Sequence, residues 1–452
     1  MDGWRNAGAR VCVHTTCRRI TLRSGPLSYT ASRIQSSMDQ TPVASQVVLD
    51  KLTKERNDCL DRWPDFKALD LSPTETALVD YQRADLKRLF GETGFNPPVP
   101  ARNPVSVALH NPRFSAALWA INTEAYRRKG ELSRSQKEVI ALGVSLANQC
   151  PHCAFIHTAM GPAAGDDVNM QVMQSFYQTQ DPDTAFPVEE GRNVTNHSFA
   201  SWAITHRSGV FQPLPCTLEQ VPEFLGTAFL FSMLNRIVDA FVSQSEAGPM
   251  FPPPVRFMMR FRSMAPLVQR MMAWMMSFLM HGEDGKVEAG TSLKAINKVS
   301  PIIKGYEGCA DGAPLPLPKA LSWAAGPNEA ISTTFAFAAA EAQIMAECYV
   351  SPALKAHMEL WVSKWDGGKV TPTPAWLDSQ VAEFGGKDKA DVVMLRLMLI
   401  TVVASYRIDD ALLSECQAML GFRGTHATVL WTSFIAAQRT CQLAFLVPPG
   451  SD

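Results

Sequence analysis

Residues 135–163 read SQKEVIALGVSLANQCPHCAFIHTAMGPA, and two helices with a reactive pair between them can be read from this stretch. Ser135-x-x-Glu138 has the form of a capping box, and the apolar run Val139-Ile140-Ala141-Leu142 carries a helix through Ala147. Pro151 suits the first turn of a second helix, which Gly161 is predicted to end. Cys150 then falls at the cap and Cys153 in the first turn, where unpaired backbone N–H groups favour an anion. A thiolate placed there is predicted to form easily. Four residues separate Cys153 from His157, so the two share one helix face. Glu138, on the preceding helix, could accept the second ring N–H of His157 and make the imidazole a stronger base.

Other readings of the same residues stay open. A CxxC with nearby His could be half of a zinc site, but a structural site needs four ligands, and the chain has no second CxxC or HxxxH. Only a tertiary accident could recruit His110 or His197. Taken singly, Glu138 could be no more than a capping acid and His157 a satisfied core histidine.

Further out, apolar residues recur at three- and four-residue spacing over residues 75–90, 224–241, 321–349, 353–365, 376–384, 389–407 and 428–445. Further helices are predicted at 47–60 and from Asn111-Pro112 to about Gly130. Residues 162–223, rich in Gly, Pro, Asp and Thr, read as an irregular excursion with short helices. Residues 256–281 hold eight methionines at helical spacing, which fits an adaptable gap-filling helix or a membrane-surface face. Convincing β-branched alternation is scarce, so the predicted fold class is all-α.

The 452 residues carry 42 basic and 43 acidic side chains, a balance that leaves no global electrostatic footprint for nucleic acid. No uncharged apolar run reaches the length of a membrane span, so no transmembrane segment is expected. The ten cysteines are scattered rather than dense, unlike a disulfide scaffold. Residues 1–37 contain six Arg, one Asp and no Lys, with frequent Ser and Thr. This N-terminal extension, residues 1–40, is the composition of an organellar transit segment, mitochondrial or other. Translation from Met38 would instead leave a cytoplasmic chain.

The Glu-x11-Cys-x-x-Cys-x3-His pattern, with His152 directly before the second cysteine, resembles the AhpD-like alkylhydroperoxidases of the carboxymuconolactone decarboxylase superfamily. Similarity continues in Asn111-Pro112 and in Phe231-x3-Asn235-Arg236-x2-Asp239. The resemblance implies an all-α helical bundle and a thiol-dependent hydroperoxide reductase. It makes Cys153 the peroxidatic residue, Cys150 the resolving one, Glu138 with His157 the proton relay, and His152 an auxiliary polar residue. It implies no cofactor beyond a redox-active Cys150–Cys153 disulfide. The partners implied are a hydroperoxide, a lipoyl-type or thioredoxin-like dithiol reductant protein, and further copies in a homo-oligomer. A non-redox lactone decarboxylase is the competing reading, though proton transfer at carbon needs no dithiol. A regulatory or scaffold role for the same fold is another.

The C-terminal half echoes the first. An apolar run leads into Ala404 as one leads into Ala147, and Phe434-x3-Gln438-Arg439 mirrors Phe231-x3-Asn235-Arg236. In that register Leu395, Arg407, Asp410 and Ser414 stand where the first half has Glu138, Cys150, Cys153 and His157. The expected organisation is a catalytic lobe over residues 45–285 with a long insertion at 162–223, a linker at 286–318, and a duplicated, degenerate second lobe at 319–446. An ion pair between Arg407 and Asp410 is predicted at the emptied site.

Overall fold

Proline and short polar caps punctuate the chain into helices. The computed structural model describes residues 71–94, 108–164, 194–209, 211–241 and 287–447, with Arg270, Met271 and Trp274. The predicted transit segment, the helix at 47–60, most of the methionine-rich helix and much of the 162–223 insertion lie outside the described residues. The described helices are α1 (Pro73–Gly94), α2 (Pro112–Ile121), α3 (Arg134–Ala147), α4 (Pro151–Ala163), α5 (Val194–Thr205) and α6 (Val221–Phe241). They continue with α7 (Thr291–Val299), α8 (Glu329–Tyr349), α9 (Pro352–Lys364), α10 (Pro374–Phe384), α11 (Lys389–Ala404) and α12 (Asp410–Phe445). A π-helical turn, Asn122–Arg127, extends α2, and tight 3-10 turns occupy Lys319–Ala324 and Ser405–Arg407. Among the described residues the sole extended pairing is an isolated bridge between Lys304 and Ala310. The fold is all-α.

Local chemistry explains most boundaries. Proline opens α2, α4, α9 and α10, where its missing N–H has no intrahelical partner to lose. The side chains of Asn328, Ser351, Thr373, Asp388 and Asp409 accept backbone N–H groups at the starts of α8 to α12. Two predicted helices differ from the structure. The run at 321–349 breaks after the 3-10 turn and restarts at Glu329, because Gly326-Pro327 interrupts it and Asn328 supplies a fresh cap. The helix expected from 428 begins at Asp410 and kinks at Gly421, whose φ of 68° is left-handed. Glycine makes that kink tolerable, so the helix resumes instead of ending.

The core is built around α6. Every residue of α6 is buried except Asp239. Among the described residues α6 is the one helix long and apolar enough to cross a membrane, yet 94% of its most apolar stretch is buried in the protein. It packs on α3, α11 and α12, so one continuous apolar core runs from Leu78 to Ala444. Phe229 touches Phe335 and Phe434 edge-on, joining α6 to both α8 and α12. Within the predicted linker, α7 buries Leu293 and Ile296. Within the predicted excursion, α5 lies tightly on α3: a Cβ at Gly143 would come 2.6 Å from that of Ala203. All described residues fall in one unit, residues 48–452.

Candidate active site

The turn between α3 and α4 sets the position of the cysteine pair. Helix α3 is capped by Ser133, whose hydroxyl accepts from Gln136 N, while Gln136 Oε1 accepts from Ser133 N at 2.8 Å. The capping box is therefore Ser133/Gln136 and not the predicted Ser135/Glu138, which leaves the Glu138 carboxylate for other partners. At the other end, Gln149 N donates to Leu146 O and Cys150 N to Ser145 O. These two bonds form a Schellman closure with Gln149 at φ 58°, in the left-handed region. Cys150 is the last residue of that closure and the cap of α4. Asn148, in the same turn, accepts from the buried Arg207 at 3.0 Å.

Glu138, Cys150, His152, Cys153 and His157 are all buried, with Cys153 only 5% exposed. Glu138 Oε2 and His157 Nδ1 are 2.7 Å apart, as the motif predicts. Two further partners hold Glu138 Oε1. Tyr126 donates its hydroxyl at 2.6 Å, and Arg134 donates from Nε at 2.7 Å, with Nη2 of the same ion pair also 2.7 Å from that oxygen. The Arg134 guanidinium also sits 4.0 Å over the Tyr126 ring. Burial alone would raise the Glu138 pKa, but the Arg134 charge and the bonds from His157 and Tyr126 together hold it below the ordinary carboxylate range. Phe231 meets the His157 ring edge-on at 4.3 Å and the Tyr126 ring at 4.8 Å, fixing both.

Burial pushes the Cys150 thiol well above its usual pKa, helped by its hydrogen bond to Cys153 and by the charge of Asp239. The easily formed thiolate expected at the helix start is thus overturned for Cys150, where loss of solvent outweighs the helix N-terminus. A thiol kept protonated beside Cys153 is a donor to that sulfur. His152 is driven down to about 4 by burial and by its neighbour His157, so it is neutral at neutral pH. Neither His152 ring nitrogen has a hydrogen-bond partner among the described residues.

Sequence reasoning missed Tyr126 and Arg134 as partners of Glu138. Arg134 carried a readable signal, since it stands four residues before Glu138 on one helix face. Tyr126 carried none, because the π-helical turn re-aims its side chain. Among the described residues no three His, Cys, Asp or Glu side chains converge as a metal cluster would. His110 packs instead on Phe422 and His426, at 4.6 and 5.6 Å.

In the C-terminal half Leu395 is fully buried in the apolar core. Arg407 is exposed, with its guanidinium 5.9 Å over the ring of Tyr406. Asp409 caps α12.

Comparison with known proteins bears on this arrangement. The model of the carboxymuconolactone decarboxylase family matches residues 112–169, which span α2, α3 and α4. A curated protein of Mycobacterium tuberculosis named as an alkyl hydroperoxide reductase is 24% identical over 315 residues, covering 69% of this chain and 77% of the relative. No solved structure gives a significant match. The family match falls on the helices that carry Glu138, the cysteine pair and His157, so over these residues the chain is similar to the carboxymuconolactone decarboxylase family.

Proposed function

We propose that this chain is a thiol-dependent hydroperoxide reductase that uses Cys153 and Cys150 as its redox pair. The observation that carries the reading is the 2.7 Å contact of Glu138 with His157, one helical turn beyond Cys153 on the same face. With Nδ1 committed to a carboxylate, Nε2 is the ring nitrogen suited to exchange a proton with the reacting atoms.

The Cys153 thiolate attacks the terminal oxygen of ROOH; the O–O bond breaks, an S–O bond forms, and protonated His157 gives its proton to the leaving alkoxide. Glu138, kept ionised by Arg134 and Tyr126, steadies the imidazolium before that transfer. Cys150 then displaces water from the Cys153 sulfenic acid and forms a disulfide. An external dithiol, lipoyl-type or thioredoxin-like, returns both thiols by exchange. The relative's name supports peroxide reduction as the activity, and the dithiol at the motif favours it over a non-redox lactone reaction.

In the C-terminal half, neither Leu395 nor the residues at the cysteine positions can perform thiol chemistry. We read that half as a duplicated and silent copy whose work is structural.

The test is consumption of cumene hydroperoxide with dihydrolipoamide as reductant. Turnover by the wild type, abolished in Cys153→Ser, is expected. Cys150→Ser should leave a trappable sulfenic acid at Cys153 and no turnover. Both thiols staying free after peroxide treatment would overturn the reading.

A further inference from the structure

Glu124 is fully buried inside the π-helical turn Asn122–Arg127, and both of its oxygens are engaged from a distant element. Oε2 accepts from Gly290 N at 3.0 Å and Oε1 accepts from Ser292 Oγ at 2.7 Å, with Arg128 Nε 3.8 Å from Oε2. Gly290 is the cap residue of α7, at φ 76°, and an added Cβ there would collide with the Tyr306 hydroxyl. The cap position of α7 thus offers no side chain of its own. A carboxylate from 166 positions upstream stands at the positive end of that helix instead.

The same turn carries Tyr126 to the relay. Its sequence, Asn-Thr-Glu-Ala-Tyr-Arg, has no Pro or Gly to widen a helix, and its closing bond runs from Arg128 N to Thr123 O at 2.9 Å. A π turn is a rare geometry, so surrounding contacts have to select it over the continued α-helix. Three successive residues make those contacts. Glu124 is clasped by the start of α7. Ala125 is pressed against α6, where a Cβ at Gly226 would come 2.8 Å from that of Ala125, and its carbonyl accepts from Thr227 Oγ1 at 3.4 Å. Tyr126 donates to Glu138 Oε1 at 2.6 Å, and Glu138 Oε2 is 2.7 Å from His157 Nδ1. Every link from α7 to His157 is a hydrogen bond or a step within one turn of backbone.

Resting on the hydroperoxide reading above, we propose that Glu124 is a positioning residue for the proton relay: clasped by Gly290 and Ser292, it holds the π turn in the register that aims the Tyr126 hydroxyl at Glu138. Glu124 touches neither peroxide nor sulfur. It acts through Tyr126, whose bond to Oε1 keeps Oε2 turned towards His157. A buried carboxylate is costly without partners, and satisfying this one from α7 selects a single arrangement of the turn. Helix α7, which the sequence places in a linker, thereby helps to present the His157 proton to the leaving alkoxide.

Rapid quench and intact-protein mass spectrometry of the reduced full-length Cys150→Ser chain with cumene hydroperoxide read Cys153 oxidation by itself, as gain of one oxygen. Glu124→Ala should slow that gain about three- to tenfold, and by no more than Tyr126→Phe does. In a Tyr126→Phe background Glu124→Ala should change the rate by less than about twofold, because the group it positions is already gone. Glu124→Gln, whose amide can accept from Gly290 N and donate to Ser292 Oγ, should recover most of the rate. Equal slowing by Glu124→Ala in both backgrounds would overturn the proposal, since a general loss of packing acts regardless of Tyr126. Glu124→Gln as slow as Glu124→Ala would overturn it too, as would a Glu124→Ala chain that oxidises at the unsubstituted rate. If Glu124→Ala fails to fold, Ser292→Ala decides: slowing confined to chains that keep Tyr126 supports the assignment, and slowing in both backgrounds or in neither removes it. A Cys150→Ser chain that gains no oxygen at all would instead remove the hydroperoxide reading, and this assignment with it.

Discussion

Tyr126 donates its hydroxyl to Glu138 at 2.6 Å from a π-helical turn twelve residues upstream, and the Arg134 guanidinium, 4.0 Å over the Tyr126 ring, donates to the same oxygen. The carboxylate that orients His157 is thus held by two further groups, Tyr126 from the π turn and Arg134 from its own helix. Glu124, in the same π turn, accepts from Gly290 N at 3.0 Å and from Ser292 Oγ at 2.7 Å, which ties the turn to the start of α7.

Tyr126→Phe should therefore weaken the relay without dismantling it, because Arg134 remains. Loss of one buried hydrogen bond to a charged acceptor is expected to cost about 1.5–3 kcal/mol in a urea titration. Cys153 oxidation should slow, and by less than in Glu138→Gln. A Tyr126→Phe chain as slow as Glu138→Gln would show that Tyr126 does more than hold the carboxylate.

His152 gives stability a pH dependence with a definite sign. Its pKa is about 4 in the folded chain against about 6.5 when unfolded, so the unfolded state binds the extra proton. Stability falls as pH drops from 6.5 towards 4 and levels off below, by on the order of 3 kcal/mol from this group. His152→Gln should flatten the difference in unfolding free energy between pH 7 and pH 4.5. Equal slopes for wild type and variant would contradict the burial of a neutral imidazole.

Gln149 adopts a left-handed conformation that an L side chain pays roughly 1–2 kcal/mol to enter. Gln149→Gly should keep or raise the melting temperature. Gln149→Val should lower it and delay disulfide closure, because Cys150 is the next residue of the same Schellman closure. A valine variant with unchanged melting and closure would show that the turn relaxes freely.

Arg236 is fully buried and donates to Ser232 O, Ser232 Oγ, Thr401 O and Val402 O. Arg236→Ala would leave those acceptors unpaired and open a cavity, for an expected loss of about 3–5 kcal/mol. Chemical denaturation would measure it. Truncation near residue 315 should be more severe, since it removes the α11 carbonyls that Arg236 and Arg207 donate to and strips Phe434 from Phe229. A soluble, fully active truncated chain would refute the structural role assigned to the C-terminal half.

Periodicity and punctuation alone made much of this protein legible. Apolar spacing marked α1, α6 and the helices from α8 onward, Pro151 marked the start of α4, and the spacing of Glu138, Cys150, Cys153 and His157 marked the candidate site. These are local properties: a helix places residues three and four apart on one face whatever surrounds it. The cap of α3 was misplaced by two residues because Ser133 and Ser135 offer the same chemistry, and only backbone geometry chooses between them. The continuation of α12 through Gly421 was likewise hidden, since a glycine can end a helix or merely bend it.

What only the tertiary structure decided is which distant groups meet. Tyr126 reaches Glu138 because a π turn rotates it, and Ser405 reaches Asp239 across 166 positions of sequence. The matching landmarks Arg236 and Arg439 look equivalent in sequence, yet one donates to Thr401 and Val402 and the other to Trp365 O. The raised pKa of the Cys150 thiol belongs here too, because desolvation depends on everything packed around a thiol and not on its neighbours in the chain. Sequence spacing fixes what can share a helix face; burial and long-range contact fix which of those side chains is charged, held or aimed.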